Sequence, residues 1–128
     1  MENLNILLIE DNIEDSTWVG IQLKKAIAVP YTFHTCEYFS KAQQLIEVNK
    51  YSLIMLDLCL PDSKGLDTVK TFVKNTNIPV IVYTGINDPL VKEEAFKAGI
   101  SDYLIKGKTS AEDLNRSITN TLKKVIKK

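Results

Sequence analysis

Short apolar runs alternate with longer amphipathic stretches five times along the chain. The apolar runs predict β-strands at positions 4–9, 31–36, 51–56, 78–83 and 102–105. In the stretches between and after them, apolar residues recur at helical spacing, as Val19, Leu23 and Ile27 do from about position 14 to 28. The pattern therefore predicts five strands and five helices in strict alternation.

Two of the predicted helices begin with the spacing of a capping box. Ser40 precedes Gln43 by three positions, and Thr109 precedes Glu112 in the same way. In a capping box the hydroxyl accepts a hydrogen bond from a backbone N–H in the first turn of the helix. We therefore expect Ser40 to cap the second helix and Thr109 to cap the fifth.

The alternation of strands and helices predicts the fold class. Strands separated by helices of ten to fifteen residues form crossover units, which build a parallel sheet. Three of the five strands are apolar at nearly every position, as expected for a sheet covered by helices on both faces. We therefore predict an α/β fold, a three-layer αβα sandwich with a five-stranded parallel sheet in the flavodoxin-like order 2-1-3-4-5 and five helices.

Composition and charge limit the number of domains, the partners and the location that we expect for this chain. The chain has 128 residues, which fits a single domain over residues 1–128 without an output domain. Sixteen Lys and Arg balance sixteen Asp and Glu, and apolar runs are short, so we expect no nucleic-acid or membrane partner. The first residues lack the basic flank of a signal peptide, and two cysteines are too few for a disulfide framework. Both features favour a cytoplasmic location.

Chemistry-bearing side chains follow the ends of four predicted strands. Glu10 and Asp11 follow strand one, Asp57 follows strand three, Thr84 follows strand four and Lys106 follows strand five. Because parallel strands share their carboxyl edge, we expect these side chains to meet in one crevice. Crowded carboxylates are ligands that Mg²⁺ prefers, and with Mg²⁺ and Lys106 the formal charges of such a site cancel.

A site of this composition suits phosphoryl transfer to a carboxylate. An aspartate can act as a nucleophile and carry a phosphoryl group. Asp57 is the best candidate, because Glu10 and Asp11 share one loop and suit a metal-holding pair. Lys106 and Thr84 are placed to screen and hydrogen-bond the phosphoryl oxygens.

Four motifs in this order make the chain resemble a known family. They are Ile-Glu-Asp-Asn at 9–12, Leu-Asp-Leu-Cys-Leu-Pro-Asp-Ser-Lys-Gly at 56–65, Tyr-Thr-Gly at 83–85 and Asp-Tyr-Leu-Ile-Lys at 102–106. Together they resemble the receiver domain of two-component response regulators, the family of the bacterial chemotaxis regulator. The resemblance extends from position 6 to about position 122.

The resemblance implies a role for each matching site residue. Asp57 would be the phosphoacceptor, supplied by a sensor histidine kinase or a histidine phosphotransfer protein. Asp11 and Asp57 would ligate Mg²⁺ together with the main-chain carbonyl of Cys59, and Glu10 would act largely through water. Lys106 would pair with the phosphoryl group. Such a protein is not an enzyme acting on an external substrate, because it promotes only its own phosphorylation and dephosphorylation.

The resemblance also implies how the signal leaves the domain. Thr84 and Tyr103 would form a switch pair, Thr84 moving toward the phosphoryl oxygens and Tyr103 rotating inward behind it. A downstream protein would read the face formed by helix four, strand five and helix five, and the domain would be a monomer or a weak dimer. The alternative for Tyr103 is a ring fixed in the core.

Two positions depart from the common pattern of the family. Many receivers have proline after the lysine in a cis peptide, whereas Gly107 follows Lys106 here, so we expect a trans linkage. Ile86, two positions after the threonine, has no group that could orient an attacking water. We therefore expect a comparatively long-lived phosphoryl group.

Simpler roles are expected for two other residues near the site. Cys59 lies two positions after the acceptor, and we expect it to be a small, buried apolar filler rather than a redox centre. Asp15 is expected only to cap the first helix.

Other functions remain open beside the receiver. A non-phosphorylated pseudo-receiver that only binds proteins is one alternative. The chain as the receiver portion of a larger hybrid kinase or regulator is another.

Overall fold

The computed structural model describes the backbone of residues 4–126 and the side chains of residues 4–124. Its sheet has five strands: β1 Leu4–Ile9, β2 Tyr31–Cys36, β3 Leu53–Leu56, β4 Val80–Thr84 and β5 Asp102–Ile105. Its helices are α1 Ile13–Ala26, α2 Phe39–Val48, α3 Leu66–Lys74, α4 Pro89–Ala98 and α5 Ala111–Ile126. A short hairpin pairs Cys59–Leu60 with Ser63–Lys64. Over the residues described, none of the helices combines the length and the apolar character that a membrane crossing needs.

The five strands form one parallel sheet in the order β2-β1-β3-β4-β5, which confirms the predicted topology. Strands β3 and β4 begin two residues later than predicted. In β4 the reason is Pro79, which has no backbone N–H to donate to a neighbouring strand. Its carbonyl oxygen only accepts a hydrogen bond, from the Ile54 N–H at 3.0 Å. Strand β4 also ends one residue later than predicted, so Thr84 is its last residue rather than the first residue of the following loop.

Two apolar cores lie on the two faces of the sheet, which confirms the three-layer sandwich. On one face, α1 and α5 pack Leu23 and Ile118 against Leu8 of β1. On the other face, α2, α3 and α4 contribute buried residues such as Phe72 of α3, which join Leu7 of β1. Neighbouring positions of β1 thus face opposite cores, because side chains alternate along a strand.

The start of α2 differs from the predicted capping box. The helix begins at Phe39, one residue before Ser40. The cap comes from a distant residue, Asp62 in the hairpin turn, whose carboxylate accepts hydrogen bonds from the backbone N–H groups of Phe39 at 2.7 Å and Ser40 at 2.9 Å. The Ser40–Gln43 prediction is wrong because a carboxylate from the hairpin already satisfies the first N–H groups of the helix.

The start of α5 is one residue later than the predicted box. Ser110 Oγ accepts a hydrogen bond from the Asp113 N–H at 3.0 Å, and the Asp113 carboxylate accepts one from the Ser110 N–H at 3.3 Å. The Thr109 hydroxyl instead donates to the carbonyl of Ile105 at 2.9 Å. A capping box is therefore present, but it is formed by Ser110 and Asp113.

Removing the Asp62 carboxylate is expected to destabilise the fold. We expect Asp62→Ala to lower the free energy of unfolding by about 1 kcal/mol, the usual cost of losing a helix cap. Hydrogen bonds from the Ser40 backbone, opposed by slight desolvation, lower the pKa of Asp62 from 3.8. The stabilisation is therefore present above that pH and lost as the pH falls through the lowered pKa of the folded state.

Urea unfolding at pH 7 and at pH 3 tests this expectation. Glu47→Ala, an exposed position at the other end of α2, is the control and should leave the midpoint nearly unchanged. An equal difference between wild type and Asp62→Ala at both pH values would contradict the capping role.

Candidate functional site

The predicted site residues meet at the carboxyl edge of the sheet. Glu10 follows β1, Asp57 follows β3, Thr84 ends β4 and Lys106 follows β5. Glu10 and Asp57 are each only 3% exposed and Thr84 is fully buried, whereas Asp11 is exposed. The crevice is therefore a largely desolvated pocket with one carboxylate on its outer margin.

The ammonium group of Lys106 lies at the centre of the pocket. Its Nζ is 2.7 Å from Glu10 Oε1, 2.8 Å from Asp15 Oδ2 and 2.9 Å from Asp57 Oδ2. Burial alone would lower the pKa of Lys106, but the ion pairs with these three carboxylates outweigh it and raise the pKa above its ordinary value. Lys106 therefore remains charged at any physiological pH.

Asp15 also belongs to the pocket, so the expectation that it only caps the first helix is wrong. The side chain that caps α1 belongs to Asn12, which accepts a hydrogen bond from the Asp15 backbone N–H at 3.0 Å. The carboxylate of Asp15 is thus available to Lys106. Helical spacing could have indicated this, since Asp15 lies one turn before Val19 on the buried face of α1.

The additional carboxylate changes the charge balance of the pocket. Three carboxylates, from Glu10, Asp15 and Asp57, contact the ammonium group, and the carboxylate of Asp11 lies near those of Glu10 and Asp57. Even with a divalent cation present, one formal negative charge would remain. The expectation of a neutral site is therefore wrong, because it counted three carboxylates.

Three of these carboxylates fit a cation site. Ligand oxygens of Glu10, Asp11 and Asp57 lie within 4.8 Å of one another. Among the described residues, the buried Oε1 of Glu10 has a close charge contact with Lys106 but no hydrogen bond of good geometry. Burial raises the pKa of Glu10 to about 7, with the Lys106 contact lowering it and the nearby Asp57 raising it. A hard divalent cation such as Mg²⁺ fits this donor set and would relieve the repulsion.

The turn after Asp57 is fixed by a backbone hydrogen bond. The Cys59 N–H donates to Asp57 Oδ1 at 3.1 Å, so both oxygens of the acceptor candidate are held, one by this turn and one by Lys106. The Cys59 carbonyl as a metal ligand stays a prediction.

The expectation of a buried Cys59 is wrong. Its side chain is exposed, because Cys59 opens the hairpin while its neighbours Leu58 and Leu60 take the core positions. The buried cysteine is Cys36 at the end of β2, where desolvation raises the pKa of the thiol to about 11.

Tyr103 and Thr84 both contact the loop that follows β4. The Tyr103 ring is 4% exposed, and its hydroxyl donates to the Ile86 carbonyl at 2.8 Å. The Ile86 N–H in turn lies 3.5 Å from Thr84 Oγ1. The ring is thus in its inward position and tied to the loop, while its part in a switch stays a prediction.

The peptide after Lys106 is trans, as predicted. All peptide bonds in the described part of the chain are trans, and Gly107 has φ of +83°. A positive φ suits glycine because it lacks a Cβ, so the loop turns here without proline.

Lys106 also lies near an aromatic ring, which stacks on a second one. The Tyr83 ring centroid is 5.8 Å from Lys106 Nζ, and Trp18 of α1 stacks on Tyr83 with centroids 5.9 Å apart. An ammonium at this distance from an aromatic face is attracted to it. Lys106 is therefore held by both charge and ring contacts.

Comparison with known protein families gives a match over most of the chain. A model of the response regulator receiver domain matches residues 6–119. The cell cycle transcriptional regulator CtrA of Caulobacter vibrioides is 30% identical over 104 residues, which is 80% of this chain and 44% of CtrA. The transcriptional regulatory protein SrrA of Staphylococcus aureus is 25% identical over 79% of this chain and 41% of SrrA. The chain thus spans less than half the length of these curated relatives.

Solved structures show the same fold. A signal receiver domain from Vibrio parahaemolyticus superposes with a TM-score of 0.86 at 28% identity, covering 98% of this chain and 94% of that one. A two-component response regulator from Clostridium difficile gives a TM-score of 0.83 at 26% identity, covering 94% and 97% of the two chains.

The cluster of Glu10, Asp11 and Asp57 predicts that removing one of its carboxylates weakens cation binding. We expect Asp11→Asn to weaken Mg²⁺ binding at least roughly tenfold, because one charged ligand is lost from the outer margin of the pocket. Calorimetric titration with MgCl₂ measures the affinity directly. Glu14→Gln removes an exposed charge in the first turn of α1 and serves as the matched control; equal losses in both variants would argue against ligation by Asp11.

Proposed function

The chain belongs to the response regulator receiver domain family, and we propose that Asp57 is the residue that accepts the phosphoryl group in this member. Receiver domains are signalling domains of two-component systems, and phosphorylation on an aspartate is general for the family. The observation that carries the assignment is the 2.9 Å contact between Lys106 Nζ and a buried Asp57 carboxylate at the end of the middle strand.

The proposed chemistry is the transfer of one phosphoryl group. An Asp57 oxygen attacks phosphorus and forms a new P–O bond, while the P–N bond of a donor phosphohistidine breaks. The electron pair of that bond goes to the imidazole nitrogen, which takes up a proton. The contacts of Asp57 with the Cys59 N–H and Lys106 orient the carboxylate, and the ammonium of Lys106 and the hydroxyl of Thr84 hold the phosphoryl oxygens.

Mg²⁺ is the cation that we propose for this pocket. Receiver domains generally use Mg²⁺ at an acidic pocket. In this chain Asp11, Asp57 and the Cys59 carbonyl would hold it, with Glu10 acting largely through water. The bound cation would screen the negative charge of the incoming phosphoryl oxygens.

The outgoing signal is proposed to use the face formed by α4, β5 and α5. Receiver domains act with histidine kinases or phosphotransfer proteins and with downstream targets. Two large apolar side chains on α4 are exposed, Leu90 at 72% and Phe96 at 41%, and are therefore available to a partner protein. Thr84 and Tyr103 would couple it to the pocket through the loop at Ile86. We further propose a cytoplasmic location and a monomer or weak dimer.

Phosphorylation by a small donor tests the assignment of Asp57. Incubation with acetyl phosphate and Mg²⁺ should add one phosphoryl group, detected by intact-protein mass spectrometry, and Asp57→Asn should abolish it. Asp67→Asn, which changes an exposed carboxylate on α3, should be modified like wild type. An unmodified wild-type protein would support the interaction-only pseudo-receiver instead.

The side chain of Ile86 predicts a slow loss of the phosphoryl group. Ile86 is half-buried and packs against the core on the α2–α4 side, so it offers no polar group to an attacking water. We expect Ile86→Glu to accelerate dephosphorylation roughly tenfold, because a carboxylate at this position can orient water. Decay is followed by mass spectrometry after removal of the donor. Ile86→Leu is the control, and similar decay in Ile86→Glu and wild type would rule the explanation out.

A further inference from the structure

We propose that Asp15 is a positioning residue that holds the Lys106 ammonium in place for phosphoryl transfer to Asp57. The inference rests on the proposed function, in which Asp57 is the acceptor. It assigns to α1 a direct part in the site, in addition to the residues that follow the strands.

The geometry separates Asp15 from the other carboxylates around Lys106. Glu10 and Asp57 both extend from the sheet edge, whereas Asp15 reaches Lys106 from α1, at 2.8 Å. The Asp15 side chain is 30% exposed, and the Lys106 side chain is 19% exposed. Since the side chains of Glu10 and Asp57 are only 0% and 4% exposed, Asp15 is the partner that restrains Lys106 on the solvent side of the pocket.

A long, flexible side chain needs such a restraint. A lysine side chain has many rotamers, and its ammonium lacks the fixed geometry of a guanidinium. Contacts with Glu10 and Asp57 draw Nζ into the pocket, and Asp15 opposes them from the helix side. The position of Nζ between three oxygens at 2.7, 2.8 and 2.9 Å follows from this balance.

The Asp15 side chain is not required to start α1. Its backbone N–H, which any substitution except proline retains, supplies the hydrogen bond to Asn12. The side chain can therefore be changed without removing the helix cap. Trp18, one turn further on and the sole tryptophan of the chain, reports whether α1 keeps its place against Tyr83.

Charge and position predict opposite kinetic effects when Asp15 is removed. Loss of a negative charge favours the approach of an anionic donor and lowers the donor concentration that gives half-maximal rate. Loss of a positioned ammonium lowers the maximal rate, because reacting groups are misaligned. A reduced maximal rate at unchanged or lower half-saturating donor concentration is therefore the signature of positioning.

The test compares Asp15→Ala with Asp15→Asn and Glu14→Ala. With acetyl phosphate and Mg²⁺, we expect the maximal phosphorylation rate to fall roughly tenfold in Asp15→Ala and less in Asp15→Asn, which retains an acceptor oxygen. Glu14→Ala removes the same charge from an exposed position in the same turn and should keep the wild-type rate. Trp18 emission in the absence of ligand should match wild type in all three variants.

A second measurement does not depend on phosphorylation. In the metal-free protein, ¹⁵N relaxation of the Lys106 ammonium reports how tightly Nζ is held. We expect its order parameter to fall in Asp15→Ala and to remain at the wild-type value in Glu14→Ala. An unchanged order parameter, or a maximal rate in Asp15→Ala equal to or above wild type, would overturn the inference.

The two proposals can fail separately. If wild type accepts no phosphoryl group, the assignment of Asp57 fails, and the order parameter still decides whether Asp15 restrains Lys106. If wild type is phosphorylated and the Asp15 variants behave like wild type in both measurements, only the role of Asp15 is lost.

Discussion

The attraction between one ammonium group and the buried carboxylates at the sheet edge governs the functional end of this molecule. Glu10 and Asp57 come from neighbouring strands, and without Lys106 their charges would repel in a desolvated crevice. The parallel sheet brings these groups together, and the positive charge of Lys106 offsets the repulsion between the carboxylates. The same arrangement leaves excess negative charge, which makes the pocket receptive to a divalent cation.

Much of this arrangement could be predicted from the sequence because it follows from one rule of parallel sheets. Apolar runs locate the strands, and the residue after each run must lie at the shared carboxyl edge. Asp57 and Lys106 are far apart in the chain, yet their meeting follows from strand order alone. The strand order 2-1-3-4-5 is common for five alternating strand–helix units, so it could be predicted without knowing individual contacts.

The features of the site and of α2 that were not predicted depend on contacts that the local sequence pattern does not show. Asp62 caps α2 across 22 and 23 positions, a distance at which local capping rules give no information. Asp15 lies in a turn where a capping role is the ordinary expectation, and its contact with Lys106 depends on how α1 packs against the sheet. The exposure of Cys59 depends on a hairpin that apolar periodicity does not reveal.

The hairpin also joins two regions that would otherwise open independently. Since Asp62 holds the first amide groups of α2, fraying of that helix requires the segment after Asp57 to move away from it. The two regions therefore belong to one cooperative unit of local unfolding. Amide hydrogen exchange at Phe39 and Ser40 therefore also reports on movement of the segment that follows Asp57, although neither residue lies in the pocket.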